Sequence, residues 1–321
     1  MNLENDRNHA RINVSIKPSV SLIMVLKNAM PHLPAALASV RAQSCSDWEL
    51  VIQDAVSTDG SLEVLRESMR DMPSASLRSE PDAGVGDAVN RALSRCRANI
   101  VGFIDGDNLL EPGAVQTVVD HFTSEPDCAA AYAPTRVIDE AGAELSRFAA
   151  GPFDVLKLLT FELVPPFATA FFRRDLCSSA LRTDDTLRTC ADFDIWLRLS
   201  HLRIDELAVP LAATRVCRIS RSRESALYER FCADKTTALD RYFASQPNSP
   251  LLQSVRRAAR AGLYLWAAES VLEIEGPTAC FTQWCDRAAE VDPTSRRLRA
   301  LRRKAMNHKP LDVSVATVGA A

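Results

Sequence analysis

The chain has 321 residues, of which 47% are hydrophobic and 25% are charged, a composition typical of a soluble globular protein with ample core. The net charge of −3 is unevenly distributed: residues 1–214 contain 20 basic and 30 acidic side chains, whereas residues 215–321 contain 18 basic and 11 acidic ones. An acidic body argues against nucleic-acid binding, and the charge split predicts two units with different partners.

The sequence favours a cytoplasmic protein. Its N-terminus is polar and charged and lacks a secretory signal. The longest apolar region, residues 155–172, is interrupted by two charged residues and two prolines, so we do not expect it to span a bilayer. The nine cysteines include no Cys-x-x-Cys pair, which favours reduced thiols over a disulfide framework.

Strands and helices alternate through the first part of the chain. The predicted strands cover residues 20–26, 49–54, 77–79 and 100–104. The predicted helices cover residues 33–43, 62–69 and 87–96, and a further helix starts at residues 111–113 and ends at Phe122. This alternation predicts an α/β fold with a mostly parallel sheet and helices on both faces.

The pattern changes after Ala129 and becomes purely helical near residue 222. We predict strands at 130–138, 145–148 and 169–174, then helices at 190–199, 222–244, 250–275 and 277–289. The predicted organisation is a flexible N-terminus (1–17), an α/β domain (18–220), a helical region (221–307) and a disordered tail (308–321). Residues 246–250 form the clearest linker, and we expect the helical region to pack on the α/β domain.

Residues 100–107 carry the strongest chemical signal. A wholly apolar run ends in Asp105 and Asp107, which are separated only by Gly106. Open α/β sheets bind ligands at the carboxyl ends of their strands. Two carboxylates there repel each other unless a cation lies nearby, and Mg²⁺ or Mn²⁺ would also bridge to substrate phosphates. The alternative is a polar turn after a strand.

Further motifs surround this one in a fixed order between residues 19 and 199. They are Val20–Met24 with Asn28, Ser39–Gln43 with Trp48–Ile52, Asp54–Ser61, Ser79–Gly84 with Asp87–Asn90, Asp105–Asp107, and Phe171–Arg174 with Ala191–Arg198. Together they resemble the motifs of family 2 glycosyltransferases. The resemblance implies the GT-A fold, a Rossmann-like, mostly parallel sheet flanked by helices, here with an α-helical C-terminal extension.

The resemblance also implies an activity. It is inverting transfer of a sugar from a nucleotide-diphospho-sugar to a glycan or lipid-linked acceptor, in bacterial surface polysaccharide synthesis, with Mn²⁺ or Mg²⁺ as cofactor. The residues that match the family's site are Val25, Asp54, Asp82, Asp105 and Gly106 for the nucleotide-sugar, Asp107 and Asp105 for the metal, and Asp192 for the general base.

Other interpretations of the same residues remain open. Asp54 could be an ordinary turn residue, and Asp192 could be the N-cap of a helix at 193–199. Ala55 and Phe167, where relatives often carry polar residues, suggest a turnover-deficient scaffold protein instead, and a nucleotidyltransferase is a weaker alternative. Structural roles are favoured for the remaining candidates, which are Asp59 as a helix cap, Asp194 outside the site, Trp196 and Leu199 in the core, and His121 and His201.

A basic cluster ends the predicted helical region. It consists of Arg296, Arg297, Arg299, Arg302, Arg303 and Lys304. A solvated helix face is the default interpretation. The functional alternative is peripheral attraction to the anionic inner face of a membrane, where lipid-linked acceptors would lie.

Overall fold

The computed structural model describes residues 17–149, 151–216 and 227–307. The predicted tail at 308–321 and nearly all of the predicted flexible N-terminus lie outside the described residues. So does the predicted domain boundary at residues 220 and 221. Among the described residues, no helix has both the length and the apolar composition needed to cross a membrane.

Within the described ranges, eleven strands form two sheets. They are β1 (Val20–Leu26), β2 (Trp48–Asp54), β3 (Ala75–Ser79), β4 (Ile100–Phe103), β5 (Leu109–Leu110), β6 (Ala130–Tyr132), β7 (Thr135–Ile138), β8 (Glu144–Phe148), β9 (Phe171–Arg173), β10 (Ile204–Glu206) and β11 (Ala212–Arg215). The larger sheet has the order β10-β6-β9-β4-β1-β2-β3, and the smaller one has the order β5-β11-β7-β8. The predicted mostly parallel sheet is confirmed, with β9 antiparallel between β4 and β6.

Twelve α-helices accompany the sheets in the part of the chain that the structure describes. They are α1 (Leu33–Arg41), α2 (Ser61–Ser68), α3 (Val85–Arg95), α4 (Ala114–Ser124), α5 (Val155–Leu159), α6 (Arg174–Cys177), α7 (Ala191–Leu199), α8 (Tyr228–Ser245), α9 (Pro250–Ser254), α10 (Arg256–Glu275), α11 (Ala279–Val291) and α12 (Arg296–Met306). Short 3₁₀ helices lie at Met69–Asp71, Phe167–Thr169 and Ser178–Leu181.

The large sheet separates two hydrophobic cores, because alternate residues of a strand point to opposite faces. Leu22 of β1 packs in the core that contains α1 and α4, whereas Ile23 packs in the core that contains α3, α7 and the C-terminal helices. Both faces of β1 are therefore buried, which explains why its sequence is apolar without alternation.

Several predicted elements differ from the structure. The strand predicted at 130–138 is two strands in different sheets, β6 and β7, separated at Ala133-Pro134, where proline cannot donate a ladder hydrogen bond. The helix predicted at 250–275 breaks near Val255 into α9 and α10. The short strands β5, β10 and β11 and the helix α5 were not predicted, since their apolar patterns are too brief to indicate a period.

The helical region packs on the α/β part, as expected from the sequence. Phe161 stacks on Phe193 of α7 with ring centroids 4.7 Å apart, and it also contacts Trp266 of α10. Gly262 of α10 lies so close to the backbone of Thr160 that a Cβ atom would come within 2.2 Å of the Thr160 oxygen. The two parts share one continuous core.

Candidate active site

The carboxyl ends of β1, β2 and β4 lie side by side. The register pairs Leu26 with Asp54 across β1 and β2, and Ile23 with Phe103 across β1 and β4. The loops that follow these three strands therefore meet at one edge of the sheet. Val25 and Asp54 lie at the ends of β1 and β2, and the Asp105–Asp107 motif follows β4. Asp82 follows β3, which neighbours β2 in the sheet.

Two of the loops are bonded to each other. The Asn28 N–H donates to Ser57 Oγ (2.8 Å), and the Thr58 N–H donates to Asn28 Oδ1 (2.9 Å). Asn28 adopts a left-handed φ of 57°, which asparagine tolerates better than most residues. Asp59 accepts from the Met30 and Ser61 N–H groups, so it joins the loops as well as the start of α2. These bonds fix the loop after β1, and half-buried Val25 lies one residue before the end of that strand.

Asp54 ends β2 and is fully buried. Its carboxylate accepts hydrogen bonds from the Ser57 N–H (3.1 Å), the Ser57 hydroxyl and the Ser79 hydroxyl (2.6 Å). The side chain thus orders the loop after its own strand and joins it to β3. Direct contact with a nucleotide would require one of these hydroxyl groups to turn away.

The segment that contains Asp82 is held at the start of α3. Asp82 Oδ1 accepts from the Gly84 N–H (3.0 Å), and Asp87 accepts from the Ala83 N–H (3.0 Å). Arg91 joins both ends of this segment through ion pairs with Glu80 and Asp87. Asp82 itself is half-buried, and a carboxylate on a braced turn can accept hydrogen bonds from a ligand.

Asp105, Gly106 and Asp107 form a tight turn after β4. A Cβ atom on Gly106 would lie 2.8 Å from the Ala29 Cβ, so glycine permits the close approach of this turn to the loop after β1. Asn108 Nδ2 donates to Asp105 Oδ2 (3.0 Å). Arg215 braces the turn by donating from Nε to the Asp107 carbonyl (3.1 Å) and from its backbone N–H to Asn108 Oδ1 (3.0 Å).

Three carboxylates lie close together at this turn, and we call Asp105, Asp107 and Asp192 the acidic cluster. Loss of solvation beside the surrounding protein, together with the negative charges of Asp107 and Asp192, raises the pKa of Asp105 to about 6, although the hydrogen bond from the Asn108 amide opposes the change. Because solvent still reaches the Asp105 side chain, we attribute more of this increase to the negative charges than to burial. Within the described part of the chain, the Asp107 carboxylate has no hydrogen-bond or ion-pair partner.

Asp192 does not cap its helix. The helix α7 begins at Ala191 with Cys190 as N-cap, and no side chain caps it, so the alternative of Asp192 as N-cap is wrong. Asp192 occupies the first turn, where the helix dipole favours a negative charge. Asp194, two residues further on, is buried and pairs with Arg198 (2.8 Å), so it lies outside the cluster as predicted.

The remaining candidates have structural or solvated positions. Trp196 and Leu199 are fully buried, and Trp196 packs among aromatic rings that include Phe167 and Phe172. Phe167, considered as a sign of lost activity, therefore has a packing role. His201 is exposed.

His121 belongs to a second polar group with Cys128 and Asp205, whose donor atoms lie within 4.8 Å of one another. His121 Nε2 lies 3.2 Å from Asp205 Oδ2 but lacks the alignment of a hydrogen bond. The Cys128 thiol donates to the Ala130 carbonyl (3.1 Å), and Arg203 holds both oxygens of Asp205. A cation would compete with Arg203, so we assign no metal to this group.

Cavity size does not locate the site. A cavity of about 650 Å³ lies between residues 182–184, α7 and α8, and Asp194, Arg198 and Arg241 are among its lining residues. It contains no member of the acidic cluster. The geometry of the strand ends, rather than the cavity volume, identifies the candidate active site.

Sequence reasoning missed several residues that build the site. Asn108 directly follows the Asp-Gly-Asp motif, and Ser57 and Ser79 lie within quoted motifs, so attention to polar neighbours could have found them. Arg215 carried no local signal, because it lies 107 residues after the asparagine that it contacts.

A Rossmann-like sheet with acidic side chains at its carboxyl edge defines a GT-A-type architecture, and comparisons with known proteins agree. Residues 21–177 match the family model described as Glycosyl transferase family 2. In the Staphylococcus aureus structure "TarS 1-349 in complex with UDP-GlcNAc", the match has a TM-score of 0.65 at 16% identity and covers 90% of this chain and 88% of that one. The "Mannosyltransferase PcManGT from Pyrobaculum calidifontis in complex with GDP-Man and Mn2+" matches with a TM-score of 0.60 at 17% identity, covering 91% and 80%.

Relatives by sequence include an Escherichia coli chondroitin synthase, 28% identical over 185 residues that cover 58% of this chain and 27% of the relative. A Mycobacterium tuberculosis protein, MT1568, whose name assigns no function, is 29% identical over 238 residues that cover 66% of this chain and 73% of the relative. The chain thus spans about a quarter of the length of the chondroitin synthase. Residues 21–177 are therefore similar to family 2 glycosyltransferases, and the predicted GT-A fold is confirmed.

Proposed function

We propose that this protein transfers a sugar, with inversion, from a nucleotide-diphospho-sugar to a hydroxyl group of a glycan or lipid-linked acceptor. The observation that carries the proposal is the acidic cluster, which joins Asp192 to the Asp105–Asp107 turn at the carboxyl edge of the sheet. UDP-GlcNAc in the S. aureus TarS complex and GDP-Man in the PcManGT complex support this class of donor.

The acidic cluster fits a divalent cation. The cluster is rich in carboxylate oxygens, and the Asp107 carboxylate has no partner among the described residues. The negative charges of Asp107 and Asp192 also contribute to the raised pKa of Asp105, which is about 6. Asp107 and Asp105 would hold Mn²⁺ or Mg²⁺, which prefer oxygen ligands. Bound there, the ion would neutralise the charge that develops on the diphosphate leaving group.

Asp192 is proposed as the general base. An acceptor hydroxyl is a weak nucleophile until a carboxylate takes its proton during attack. No described residue donates a hydrogen bond to the Asp192 side chain, so it is available for this role. Attack on the face of the sugar opposite the leaving group inverts the anomeric centre and requires no covalent intermediate.

The nucleotide is proposed to lie across the bonded loops. Val25 and Gly106 would provide close backbone contact, Asp82 would accept hydrogen bonds from the base or ribose, and Asp105 would contact the ribose or the metal. Asp54 would act mainly by ordering the loop at Ser57, because its carboxylate is buried and already accepts hydrogen bonds.

The biological setting is proposed to be bacterial surface polysaccharide synthesis. Relatives named chondroitin synthase, and a Bacillus subtilis protein named for putative teichuronic acid biosynthesis, 29% identical over 137 residues, support this. The acceptor would then lie at a cytoplasmic membrane surface. Peripheral contact of α12 with anionic lipids is proposed on the basis of its exposed arginines.

The experiment that tests this function is a donor screen. The protein is incubated with UDP-, dTDP- and GDP-sugars and Mn²⁺, and release of nucleoside diphosphate is measured. Slow hydrolysis of one donor class supports the proposal, whereas release of pyrophosphate would indicate a nucleotidyltransferase, and binding of a donor without release would indicate a scaffold protein.

The metal assignment has its own control. Asp107→Asn should abolish the Mn²⁺ dependence of donor binding by calorimetry while leaving the melting temperature nearly unchanged, because the half-buried carboxylate has no described partner to lose. Wild-type donor affinity that is equal with and without Mn²⁺ would remove the metal from the proposal.

A further inference from the structure

The segment that leads into α7, residues 183–189, is bonded to α3 on one side. Asn90 of α3 pairs with both backbone groups of Thr183, since Nδ2 donates to the Thr183 carbonyl (3.0 Å) and Oδ1 accepts from the Thr183 N–H (3.0 Å). The Thr183 hydroxyl donates to the Gly86 carbonyl (2.7 Å). One end of the segment is therefore fixed to the helix that follows the Asp82 turn.

The other side of the segment is bonded to α8, which belongs to the helical region. Asp234 Oδ2 accepts from both the Thr189 N–H (3.0 Å) and the Thr189 hydroxyl (2.7 Å). Two turns further along α8, Arg241 pairs with Asp184 (2.6 Å). The Arg241–Asp184 pair is largely exposed and therefore contributes little to stability. The Thr189–Asp234 bonds are partly buried and charge-assisted, so they hold the segment more firmly.

The position of Thr189 makes these bonds important for the acidic cluster. Thr189 directly precedes Cys190, the N-cap of α7, and Asp192 lies in the first helical turn. The carboxylate of Asp234 therefore holds the chain three residues before the proposed base. A side chain in a first turn shifts when the entry to its helix shifts.

Asp234 itself stands on a fixed element. The next residue, Lys235, is 7% exposed, and its ammonium group lies 4.5 Å from the centre of the Trp266 ring and 5.8 Å from that of Phe193. These contacts hold α8 between α7 and α10. The helical region thus presents Asp234 to the segment from a rigid position.

We propose that Asp234 is a positioning residue for Asp192, so that the helical region completes the active site of the α/β domain. The inference rests on the proposed role of Asp192 as general base. Asp234 acts through Thr189 and does not contact the substrate. Loss of its two hydrogen bonds frees the start of α7, and a displacement of about 1 Å in a reacting group can lower turnover on the order of 100-fold.

A matched control lies on the same helix. Asp240 pairs with Arg256 (3.0 Å) and Arg260 (3.3 Å), both of α10, and has no bond to residues 183–189 among the described contacts. Asp240→Ala therefore removes a carboxylate and two contacts from α8 without touching the entry to α7. A purely structural role for α8 predicts similar effects of Asp234→Ala and Asp240→Ala.

The experiment compares Asp234→Ala, Asp240→Ala, Thr189→Val and Thr189→Ser, using the full chain, the donor that the screen identifies and Mn²⁺. We expect Asp234→Ala to lower kcat about 10- to 100-fold with little change in the KM for the donor. Thr189→Val, which keeps the N–H but loses the hydroxyl, should show a smaller loss of kcat, and Thr189→Ser should restore it. Asp240→Ala should retain wild-type kcat.

Hydrogen exchange gives a readout that does not depend on turnover. Amides of residues 189–193 should exchange faster in Asp234→Ala than in the wild-type protein and in Asp240→Ala. If no donor is turned over by the wild-type protein, the proposed function fails, while the exchange comparison still decides whether Asp234 holds the start of α7. Equal exchange and equal kcat in Asp234→Ala and Asp240→Ala would overturn the positioning role.

Discussion

At the scale of single residues, the acidic cluster concentrates negative charge at the place where the proposed mechanism moves a proton and binds a diphosphate. Asp192 lies in the first turn of α7 without capping it, and its charge raises the pKa of Asp105. A carboxylate needed only for helix stability would be expected to bond to the backbone of its own helix. The free side chain of Asp192 is what a general base requires.

Replacement of this carboxylate tests the role. Asp192→Asn keeps the size of the side chain but cannot accept a proton, so kcat should fall on the order of 10²- to 10⁴-fold. Donor affinity should change little, because the interaction matters mainly in the transition state. Steady-state kinetics and calorimetry check the two expectations, and Asp194→Asn, outside the cluster, is the comparison. Near wild-type turnover by Asp192→Asn would remove Asp192 from the mechanism.

Asp105 predicts a pH dependence of stability. Its pKa is raised from the ordinary value of 3.8 to about 6 in the folded protein. Loss of this proton therefore costs more free energy in the folded protein than in the unfolded chain, so the free energy of unfolding falls as the pH rises from about 4 to about 6. The stabilisation from the protonated form is fully present below about pH 4 and is lost as the pH rises through about 6. Asp105→Asn should therefore raise the melting temperature of the metal-free protein at pH 7.

The same comparison at pH 4 provides the control. There the folded wild-type protein holds the proton, and the difference in melting temperature between Asp105→Asn and wild type should shrink. Thermal unfolding followed by circular dichroism in the presence of a chelator measures both. A difference that stays constant between pH 4 and pH 7 would contradict the assignment of this titration to Asp105.

At the scale of elements, α12 has a buried side that packs in the core and an exposed side that carries basic residues. Leu298 and Leu301 are buried, so the helix is part of the core. Arg297, one of the predicted basic cluster, is turned inward, where it pairs with Glu269 and donates to the carbonyl groups of Thr160 and Phe161. The prediction that all six basic side chains form one face is wrong for this residue, whereas the other five are exposed.

The exposed arginines can be tested for membrane attraction without disturbing the core. The triple variant Arg296→Gln, Arg299→Gln and Arg303→Gln should bind vesicles of anionic lipid more weakly at low salt, since each arginine near such a surface contributes about 1 kcal/mol. High salt should remove the difference by screening. Co-sedimentation with vesicles measures the effect. Equal binding by the variant and the wild type would leave these side chains as a solvated face.

Arg297→Gln is the contrasting change on the same helix. It should lower the free energy of unfolding by about 1–3 kcal/mol, because buried carbonyl groups and Glu269 lose their partner. Vesicle binding by the folded fraction should not change. Chemical denaturation separates this structural arginine from the exposed ones.

At the scale of the whole molecule, the helical region and the α/β domain behave as one packed body in the structure. Their shared core surrounds Phe161, Phe193 and Trp266, and Asp234 of the helical region reaches the entry to α7. A domain that merely carried a scaffold or membrane function would not need to bond to the segment before the proposed base.

Gly262→Ala tests this packing, because an isolated helix and a packed helix predict opposite changes in the free energy of unfolding. In an isolated helix, Gly262→Ala would stabilise α10 by roughly 0.5–1 kcal/mol through helix propensity. In the packed structure the added methyl group would come within 2.2 Å of the Thr160 carbonyl oxygen. Overpacking against backbone should instead destabilise the protein by about 1–3 kcal/mol. A stabilised Gly262→Ala variant would show that α10 does not dock as described.

The sequence by itself determined the local parts of this protein. Apolar runs predicted β1, β2 and β4 within a residue of their ends, since a strand buried on both faces needs no partner to be recognised. Because those runs end in Asp54 and Asp105, the sequence also indicated where chemistry would occur. Motif order then indicated the resemblance to family 2 glycosyltransferases, which the match over residues 21–177 supports.

The tertiary structure decided which distant residues complete the site. Arg215 braces a turn that lies 107 residues earlier, and Asp234 holds Thr189 across 45 residues, and neither spacing follows a helical or strand period. The antiparallel direction of β9 and the inward orientation of the Arg297 side chain likewise do not follow from local spacing. Local patterns report how a segment folds on itself, whereas these contacts depend on how separate elements pack, which only the assembled core determines.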